Sequence, residues 1–431
     1  MNETLRKMRA EMQDVLENNI LCFWLEKMQD WEHDGFYGRM DGHMQLYPEA
    51  EKGAILNARI LWTFSAAFRV LKKKAYLDAA ERAKNYIIDH FIDKENGGVF
   101  WSVDYQGQPL NTKKQFYAIG FMIYGLSEFA RATGDREALD IALELYECME
   151  QHSLDKVHNG YIEACTREWE NIADMRLSDL DANYPKSQNT HLHILESYTN
   201  LYRCLQEFKA AESCNYVPVL GAILPVAVSV PQEIINTVEA SLRNLISIFT
   251  DRILNPTTHH LDLFFDMDWT RQAEPLVSYG HDIECSWLLH EAALVLGDKK
   301  VLEKVEPIVQ KVVKAAATGL RPDGSMIHEM KCTMHNAQCT MDEDRHWWVQ
   351  AENVVGWLNL YQYFADEEAL QRAYACWEYI KQNLIDYEQG EWYWSRHNDG
   401  TLNLDDDHAG FWKCPYHNSR MCLFLASDYR A

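Results

Sequence analysis

Residues 96–134, NGGVFWSVDYQGQPLNTKKQFYAIGFMIYGLSEFARATG, contain one complete structural unit of this chain. Asn96-Gly97-Gly98 forms a turn, and residues 99–105 alternate apolar and polar side chains with the period of two expected for a small β-hairpin. Residues 115–133 then have helical periodicity, and Gly134 follows at the position where glycine commonly ends a helix. The stretch therefore predicts a turn, a hairpin and a long helix in succession.

Six turns of this kind divide the chain into six similar units. Most of them are about sixty residues apart, which is enough for one helix pair and a hairpin. A helix pair cannot bury its apolar face alone, so six pairs must stack, and a closed ring leaves no exposed end. We therefore predict an all-α fold with a single domain over residues 1–431: an (α/α)6 barrel of six helical hairpins in a closed toroid, with short β-hairpins at one end. The six turns are Asp34-Gly35-Phe36, Asn96-Gly97-Gly98, Asn159-Gly160-Tyr161, His259-His260-Leu261, Asp323-Gly324-Ser325 and Gln389-Gly390-Glu391.

One helix of each pair begins with polar and aromatic residues and then continues with apolar ones. This pattern is expected for a helix of the inner ring, because only its first turn faces a central cavity and the rest is buried. The six helices begin near Arg59, Tyr117, Asn189, His281, Trp347 and His417. We predict that these six openings surround one cavity.

Composition narrows the class of ligand. A formal net charge of -24 repels nucleic acid and acidic polymers, so a neutral or cationic small molecule is the expected partner. The first residues contain no apolar segment followed by a cleavage site, so we expect a cytoplasmic protein. Residues 216–231 are uncharged, but sixteen residues with three prolines are too short and too broken to cross a bilayer. We interpret them as part of an apolar insertion around residues 211–232, and we expect no membrane attachment.

Cysteine usage and missing motifs limit the chemistry. The eleven cysteines include no C-x-x-C pair, which favours buried reduced thiols over a disulfide framework or a zinc site. The sequence also lacks H-E-x-x-H, a G-x-G-x-x-G loop after a strand and a P-loop. We therefore expect no metal, nicotinamide or nucleotide cofactor.

Histidines at three of the helix openings suggest acid–base chemistry. Histidine titrates near neutrality unaided, so several around one cavity favour reversible proton transfer to and from carbon. Glu284 lies one helical turn after His281 and is predicted to hold its tautomer, and His417 at a helix start suits a neutral general base. His193 is favoured for the cavity over His191, which points to another face of the same helix. Each signal alone is also compatible with a structural histidine.

Arg59 and a group of aromatic residues favour a sugar ligand. Arg59 lies in an otherwise apolar helix, so its guanidinium needs either an internal salt bridge or an oxyanion of the substrate. Aromatic side chains near the histidines are candidates for stacking on sugar rings, although core packing is their more common role. These aromatic residues are Tyr117, Trp287, Trp347, Trp348 and Trp412.

Several longer runs resemble one known family. They are NARILWTFSAAFR from residue 57, GGVFWSVDYQGQPL from 97, KKQFYAIGFMIYGLSEFARATGD from 113, NTHLHILESY from 189, GHDIECSWLLHEA from 280, HWWVQAE from 346 and WKCPYHNSR from 412. Together they resemble the N-acylglucosamine 2-epimerase superfamily, and most closely its cellobiose 2-epimerase branch. The resemblance implies an (α/α)6 barrel without metal or redox cofactor. It implies that His281 and His417 are the acid–base pair and that His193 assists ring opening. It places around the substrate Arg59, Tyr117, Asp181, Asn189, Glu284, Trp347 and Trp412.

The resemblance implies reversible inversion at C2 of the reducing-end glucose of β-1,4-linked disaccharides such as cellobiose and lactose. The reaction would pass through ring opening and an enediolate, in a monomer or a weak dimer. Within the superfamily, an N-acylglucosamine or mannose 2-epimerase and an aldose–ketose isomerase remain alternatives. A glycoside hydrolase using two opposed carboxylates, from Asp181, Glu284 or residues 405–407, and a non-catalytic sugar-binding scaffold are alternatives of other classes.

Overall fold

The structure is a computed structural model that describes residues 3–179, 181–214, 217–219, 222–224, 230–273, 276–332 and 339–426. Among these residues it contains thirteen α-helical segments. Six of them form an inner ring and, apart from their first turns, consist mostly of apolar residues. They are α3 (Ala54–Leu71), α5 (Phe116–Thr133), α7 (Gln188–Cys214), α9 (Tyr279–Leu296), α11 (Trp347–Phe364) and α13 (Tyr416–Phe424).

The outer ring consists of amphipathic helices. In α10, for example, Val305, Val309 and Val313 are buried on one face while lysines occupy the other, as expected for a helix between core and solvent. Three outer helices begin with an aspartate, Asp135, Asp298 or Asp366 respectively, whose carboxylate accepts a hydrogen bond from the backbone of the first turn. The outer segments are α1 (Glu3–Val15), α2 (Leu21–Glu26), α4 (Lys74–Tyr86), α6 (Arg136–His152), α8 (Gln232–Ile248), α10 (Lys299–Ala316) and α12 (Glu367–Asn383), and a π-helical turn (Leu16–Ile20) joins α1 to α2.

The inner helices close a ring. Each packs against the next in the order α3, α5, α7, α9, α11 and α13, and α13 packs back against α3. In α3 every residue from Ala54 to Phe68 is buried, because an inner helix has neighbours on all sides. By length and composition α3 alone, among the described residues, resembles a membrane span, but 83% of it is buried inside the protein. The predicted (α/α)6 toroid is confirmed.

Most of the short antiparallel strands lie at the end of the ring where the inner helices begin. Five strands directly precede an inner helix, and each pairs with a strand of the following unit. For example, Lys114 of one strand faces Cys165 of the other, and Gln115 faces Ala164. The paired sets are β1 (Lys52–Gly53), β2 (Ser102–Val103) and β3 (Pro109–Asn111); β4 (Lys114–Gln115) and β5 (Ala164–Cys165); β6 (Lys186–Ser187) and β9 (Phe264–Phe265); β7 (Val217–Val219) and β8 (Ala222–Leu224); β10 (Leu276–Ser278), β11 (Glu329–Cys332) and β12 (Cys339–Asp342); and β13 (Arg345–His346) and β14 (Ser395–Arg396).

All six predicted turns are present, and each is closed by an isolated antiparallel bridge such as that between Ile92 and Val99. Buried lysines anchor three of the turns to the strand before the next inner helix. The Nζ atoms of Lys52 and Lys114 each lie 2.7 Å from an aspartate of the preceding turn, and Lys186 repeats the arrangement at 2.8 Å. Breaking such a buried pair typically destabilises a protein by about 3–5 kcal/mol. The lysines therefore hold the helix openings in place.

The cysteines and the apolar insertion are two further features that the sequence analysis addressed. The prediction of reduced thiols only is wrong for Cys332 and Cys339, which form a disulfide because the antiparallel register of β11 and β12 places them opposite each other. The other cysteines whose side chains the structure describes are free. Residues 215–216, 220–221 and 225–229 of the predicted apolar insertion lie outside the described residues, and within the insertion β7 and β8 form a short hairpin.

Candidate active site

A cavity of about 540 Å³ lies at the end of the ring where the inner helices begin. Every inner helix contributes residues of its first two turns to it. The structure brings together eleven of the twelve predicted site residues in its wall: Arg59, Tyr117, Asp181, Asn189, His193, His281, Glu284, Trp347, Trp348, Trp412 and His417.

Trp287 is the exception, and the prediction that its ring stacks on a sugar is wrong. Its side chain is fully buried and lies outside the cavity wall. The indole Nε1 donates a hydrogen bond of 2.9 Å to Oε2 of Glu352, and the guanidinium of Arg420 lies 4.6 Å from the ring centroid. Trp287 therefore supports polar groups behind the cavity.

His417 is held by a carboxylate on the neighbouring inner helix. Its Nδ1 lies 2.7 Å from Oε1 of Glu352. Both oxygens of Glu352 already accept hydrogen bonds, from Arg420 and from Trp287, so Nδ1 of His417 carries the hydrogen and Nε2 keeps a lone pair. The ring centroid of Trp348 lies 5.7 Å from that of His417 and 4.9 Å from that of His281. Trp348 therefore lies beside both candidate acid–base groups.

His193 has the same type of partner one helical turn away. Its Nδ1 lies 2.9 Å from Oε2 of Glu196. His191 points elsewhere, as predicted: its Nδ1 lies 2.6 Å from the carbonyl of Ser187, and its Nε2 accepts a hydrogen bond from the backbone of Tyr161. His191 is therefore a structural histidine, whereas His193 lines the cavity.

The predicted pairing of His281 with Glu284 is wrong. Oε1 of Glu284 instead accepts a hydrogen bond of 2.7 Å from Arg420, and Nδ1 of His281 has no partner among the described residues. The spacing places both side chains on one helix face, but the charged guanidinium from α13 is the stronger partner for the carboxylate.

Burial controls the protonation of these imidazoles. It lowers the pKa of His281 and of His417 well below the ordinary value, and neighbouring cationic groups add to the effect. Burial also lowers the pKa of His193. These pKa values thus depart from that of an unaided histidine, because a charged ring is poorly solvated in this cavity. All three rings are neutral at pH 7.

Arg59 forms no ion pair with any carboxylate of the described residues, so the internal salt bridge is not observed. Its Nη2 donates to the hydroxyl of Tyr117 at 2.9 Å, and its guanidinium lies over the rings of Phe121 and Tyr416 at 4.2 and 4.9 Å. A buried cation without an anion is poised to interact with negative charge on a ligand.

Sequence reasoning missed the group of charged residues behind the histidines. Arg420 is fully buried and contacts Glu196, Glu284 and Glu352. The available signal was spacing: Glu196 follows His193 by three residues, and Arg420 follows His417 by three.

Several buried polar atoms of the cavity wall have no hydrogen-bond partner among the described residues. They include both donors and acceptors, as expected of a site for a ligand with several hydroxyl groups. The atoms include Arg59 Nε, Gln188 Nε2, Asn189 Oδ1, His281 Nδ1, Glu284 Oε2 and Trp347 Nε1.

Two groups of side chains have the spacing of metal ligands in the part of the chain that the structure describes. One consists of Glu284, Glu352 and His417, but the guanidinium of Arg420 already binds both carboxylates and would repel a cation. The other, His328, Asp342 and His346, includes two imidazoles stacked face to face at 4.0 Å. Parallel rings direct their lone pairs side by side and not toward one ion. That the active site uses no metal ion therefore remains a prediction.

The fold and the cavity agree with one enzyme family. The chain belongs to the N-acylglucosamine 2-epimerase (GlcNAc 2-epimerase) family, whose model matches residues 35–204 and 236–420. Cellobiose 2-epimerase of Bacteroides fragilis is 54% identical over 98% of this chain and 99% of its own length. The structure of cellobiose 2-epimerase from Bacillus thermoamylovorans B4167 has a TM-score of 0.85 and 36% identity, covering 98% of this chain and 99% of that one. A D-mannose isomerase of Marinomonas mediterranea is more distant, at 21% identity over 90% of each chain.

Proposed function

We propose that this protein is a cellobiose 2-epimerase that reversibly inverts C2 of the reducing-end glucose of cellobiose. One observation carries the proposal: two imidazoles, His281 on α9 and His417 on α13, line one cavity on either side of α11 and beside Trp348. Inversion at carbon needs one proton-transfer group on each face of that carbon. The full-length similarity to cellobiose 2-epimerases supports the choice of substrate.

The reaction begins with opening of the sugar ring, in which we assign His193 an assisting role. The free C1 carbonyl acidifies the proton on C2. One imidazole removes this proton, and the electron pair forms an enediolate whose charge Arg59 and His193 stabilise. The other imidazole delivers a proton to the opposite face of C2, and ring closure gives glucosyl-mannose. Because both rings start neutral, the second imidazole must take up a proton from solvent before it can donate, which the enediolate charge favours. The first imidazole afterwards releases the proton that it took from C2 to solvent.

Deuterium exchange tests this mechanism. We expect cellobiose incubated with the protein in heavy water to yield glucosyl-mannose that carries deuterium at C2, as read by NMR. Retention of the original hydrogen at C2 throughout turnover would exclude the mechanism. Accumulation of a ketose in place of the epimer would instead identify an aldose–ketose isomerase.

Single-histidine variants sharpen the test. We expect His281→Asn and His417→Asn each to lower epimerisation by about 10²–10⁴-fold, the usual contribution of a general acid or base. Each variant keeps one base, so each should still exchange the C2 hydrogen of one epimer but not of the other. His90, which packs on Tyr86 and lies outside the cavity wall, is the control, and His90→Asn should leave both rates unchanged. Exchange of both epimers by both variants would contradict the assignment.

A glycoside hydrolase is not supported by the carboxylates. Glu284 binds Arg420, Asp181 accepts hydrogen bonds from Ser178, and Asp407 pairs with Arg39. Hydrolysis needs a pair of opposed carboxyl groups free to act on a glycosidic bond. We further infer that the enzyme is cytoplasmic, acts as a monomer or a weak dimer, and binds a neutral disaccharide. We infer that it uses no cofactor, since the proposed steps need only protein groups.

A further inference from the structure

One arginine lies at the centre of the polar groups behind the cavity. Arg420, on the last inner helix, is fully buried and meets a carboxylate from each of three other inner helices. Its Nη2 donates to Oε1 of Glu284 at 2.7 Å and to Oε1 of Glu352 at 2.6 Å, and its Nη1 contacts Glu196. Three carboxylates share a single guanidinium, which presents its donors in a rigid fork.

Two of these carboxylates hold histidines of the cavity. Glu196 accepts at its Oε2 from Nδ1 of His193, and Glu352 accepts at its Oε1 from Nδ1 of His417. Arg420 is therefore one residue removed from both imidazoles, through a different carboxylate on each side. The third carboxylate differs, because Oε2 of Glu284 has no partner among the described residues and Glu284 lines the cavity.

Without the guanidinium, these carboxylates would be poor acceptors. Burial alone raises the pKa of a carboxyl group, because the charged form loses its hydration. For Glu196, Arg420 and His193 outweigh burial and bring the pKa down to about 2. For Glu352, burial still raises the pKa, although Arg420 opposes it. A carboxyl group that takes up a proton or rotates no longer enforces a hydrogen on Nδ1 of its histidine.

We propose that Arg420 is a positioning residue that sets the tautomers of His193 and His417 together. It does so by holding Glu196 and Glu352 as acceptors for Nδ1–H, which leaves Nε2 of each ring to handle protons. The expected effect of Arg420 on kcat rests on the proposed epimerase function. The expected tautomers do not depend on that function.

The test is Arg420→Lys, read by ¹⁵N NMR of protein labelled at histidine. Spectra of His193→Asn and His417→Asn variants assign the two rings. We expect both rings to be Nδ1–H tautomers in the unaltered protein. In Arg420→Lys the compact ammonium cannot span the carboxylates, so both rings should shift toward a mixture. We also expect kcat for cellobiose to fall by about 10²-fold or more, with KM changed less than about threefold and a displaced pH profile.

Arg131 offers a matched control. It is also buried and paired, with Glu128 and Glu207, but it lies outside the cavity wall. We expect Arg131→Lys to lower the melting temperature while both tautomers and kcat stay unchanged. If Arg420→Lys does not fold, Glu196→Gln and Glu352→Gln replace it, and each should shift only its own histidine.

The outcomes separate this proposal from the proposed function. Unchanged tautomers in Arg420→Lys, or in both glutamine variants, would overturn the positioning role even if the protein epimerises cellobiose. Shifted tautomers in a protein that never exchanges the C2 hydrogen would support the positioning role and end the epimerase proposal. A shift of both tautomers by Arg131→Lys would also overturn the positioning role, since any buried arginine would then be enough to set the tautomers.

Discussion

The imidazoles of the cavity illustrate how burial changes a side chain's chemistry. His193, His281 and His417 lie in the cavity wall, where a charged ring is poorly solvated, and burial is the largest cause of the lowered pKa of each. A lowered pKa keeps the base form available at mildly acid pH.

The expected pH dependence follows from that direction. A free imidazole titrates at about 6.5. Because the pKa values in the folded protein lie below this value, kcat/KM for cellobiose should remain near its maximum as the pH falls through 6.5 and decline only at lower pH. Stability changes in the same direction. As the pH falls, the histidines of the unfolded chain take up protons before those of the folded protein, so the free energy of unfolding decreases below about pH 6.5. Circular dichroism at each pH separates the two effects. If kcat/KM falls to half its maximum at or above pH 6.5 as the pH is lowered, the prediction is contradicted.

Trp287 offers a second test. Trp287→Phe replaces the indole by a smaller aromatic ring and removes the donor to the carboxylate of Glu352, and we expect the lost hydrogen bond to lower the free energy of unfolding by about 2 kcal/mol. Trp357 is the control, because its Nε1 donates to the neutral amide of Asn353 at 2.8 Å. Trp357→Phe should lose about 1 kcal/mol. Urea denaturation measures both, and equal losses would show that the charge of the acceptor is irrelevant.

Which individual side chains could be predicted depends on how local their signals are. His193 and His417 were found because each lies in the first two turns of an inner helix, where the sequence changes from polar to apolar. The role of Arg420 was not found, since its carboxylate partners lie between 68 and 224 residues away in the chain. The false pairing of His281 with Glu284 has the same origin: helical spacing reports neighbours within one helix and omits competing groups from another.

Among the helices and turns, the start of α7 shows how a buried cap orients a site. Glu163 accepts hydrogen bonds from the backbone of Ser187 at 2.8 Å and from the hydroxyl of Thr190 at 2.6 Å. It thus holds the helix that carries Asn189 and His193. Burial raises the pKa of Glu163 to about 7.

This raised pKa predicts a pH-dependent effect of Glu163→Gln. The folded protein binds a proton at Glu163 that the unfolded chain releases above about pH 4.3, so this stabilisation is lost as the pH rises through about 7. We therefore expect the variant to gain stability relative to the unaltered protein between pH 5 and pH 8, by about 3 kcal/mol at most. Melting temperatures at both pH values provide the measurement. A constant difference would show that Glu163 is charged throughout.

Turns and helices were easier to predict than strand partners. The glycine turns and the helix stop at Gly134 depend on local backbone conformation, and the structure has Gly134 in the left-handed region as expected. The disulfide and the buried lysines depend on register between units. Lys114 meets Asp93 across 21 residues and a turn, a relation that no periodicity contains.

The closed ring connects the two ends of the described chain. The last inner helix, α13, packs against α3 and α11, and α1 packs against α12 and α13. Removing any one unit would expose the apolar faces of its neighbours.

We therefore expect the ring to unfold as one unit. Tryptophan fluorescence and far-UV circular dichroism should report the same midpoint in a urea titration. A chain that ends before Tyr416 lacks the closing helix, and it should show no cooperative transition. Two separate midpoints in the full chain would contradict both this expectation and the prediction of a single domain.

The buried side chains of Trp62, Trp287, Tyr416 and Arg420 contact one another in a connected layer across the inner ring. With this interior filled, we expect arriving and departing sugars to use the same opening. Each epimer then acts as a competitive inhibitor of the other's conversion. Net flux declines as product builds up, and the final ratio of the two disaccharides reflects their own relative stability in water.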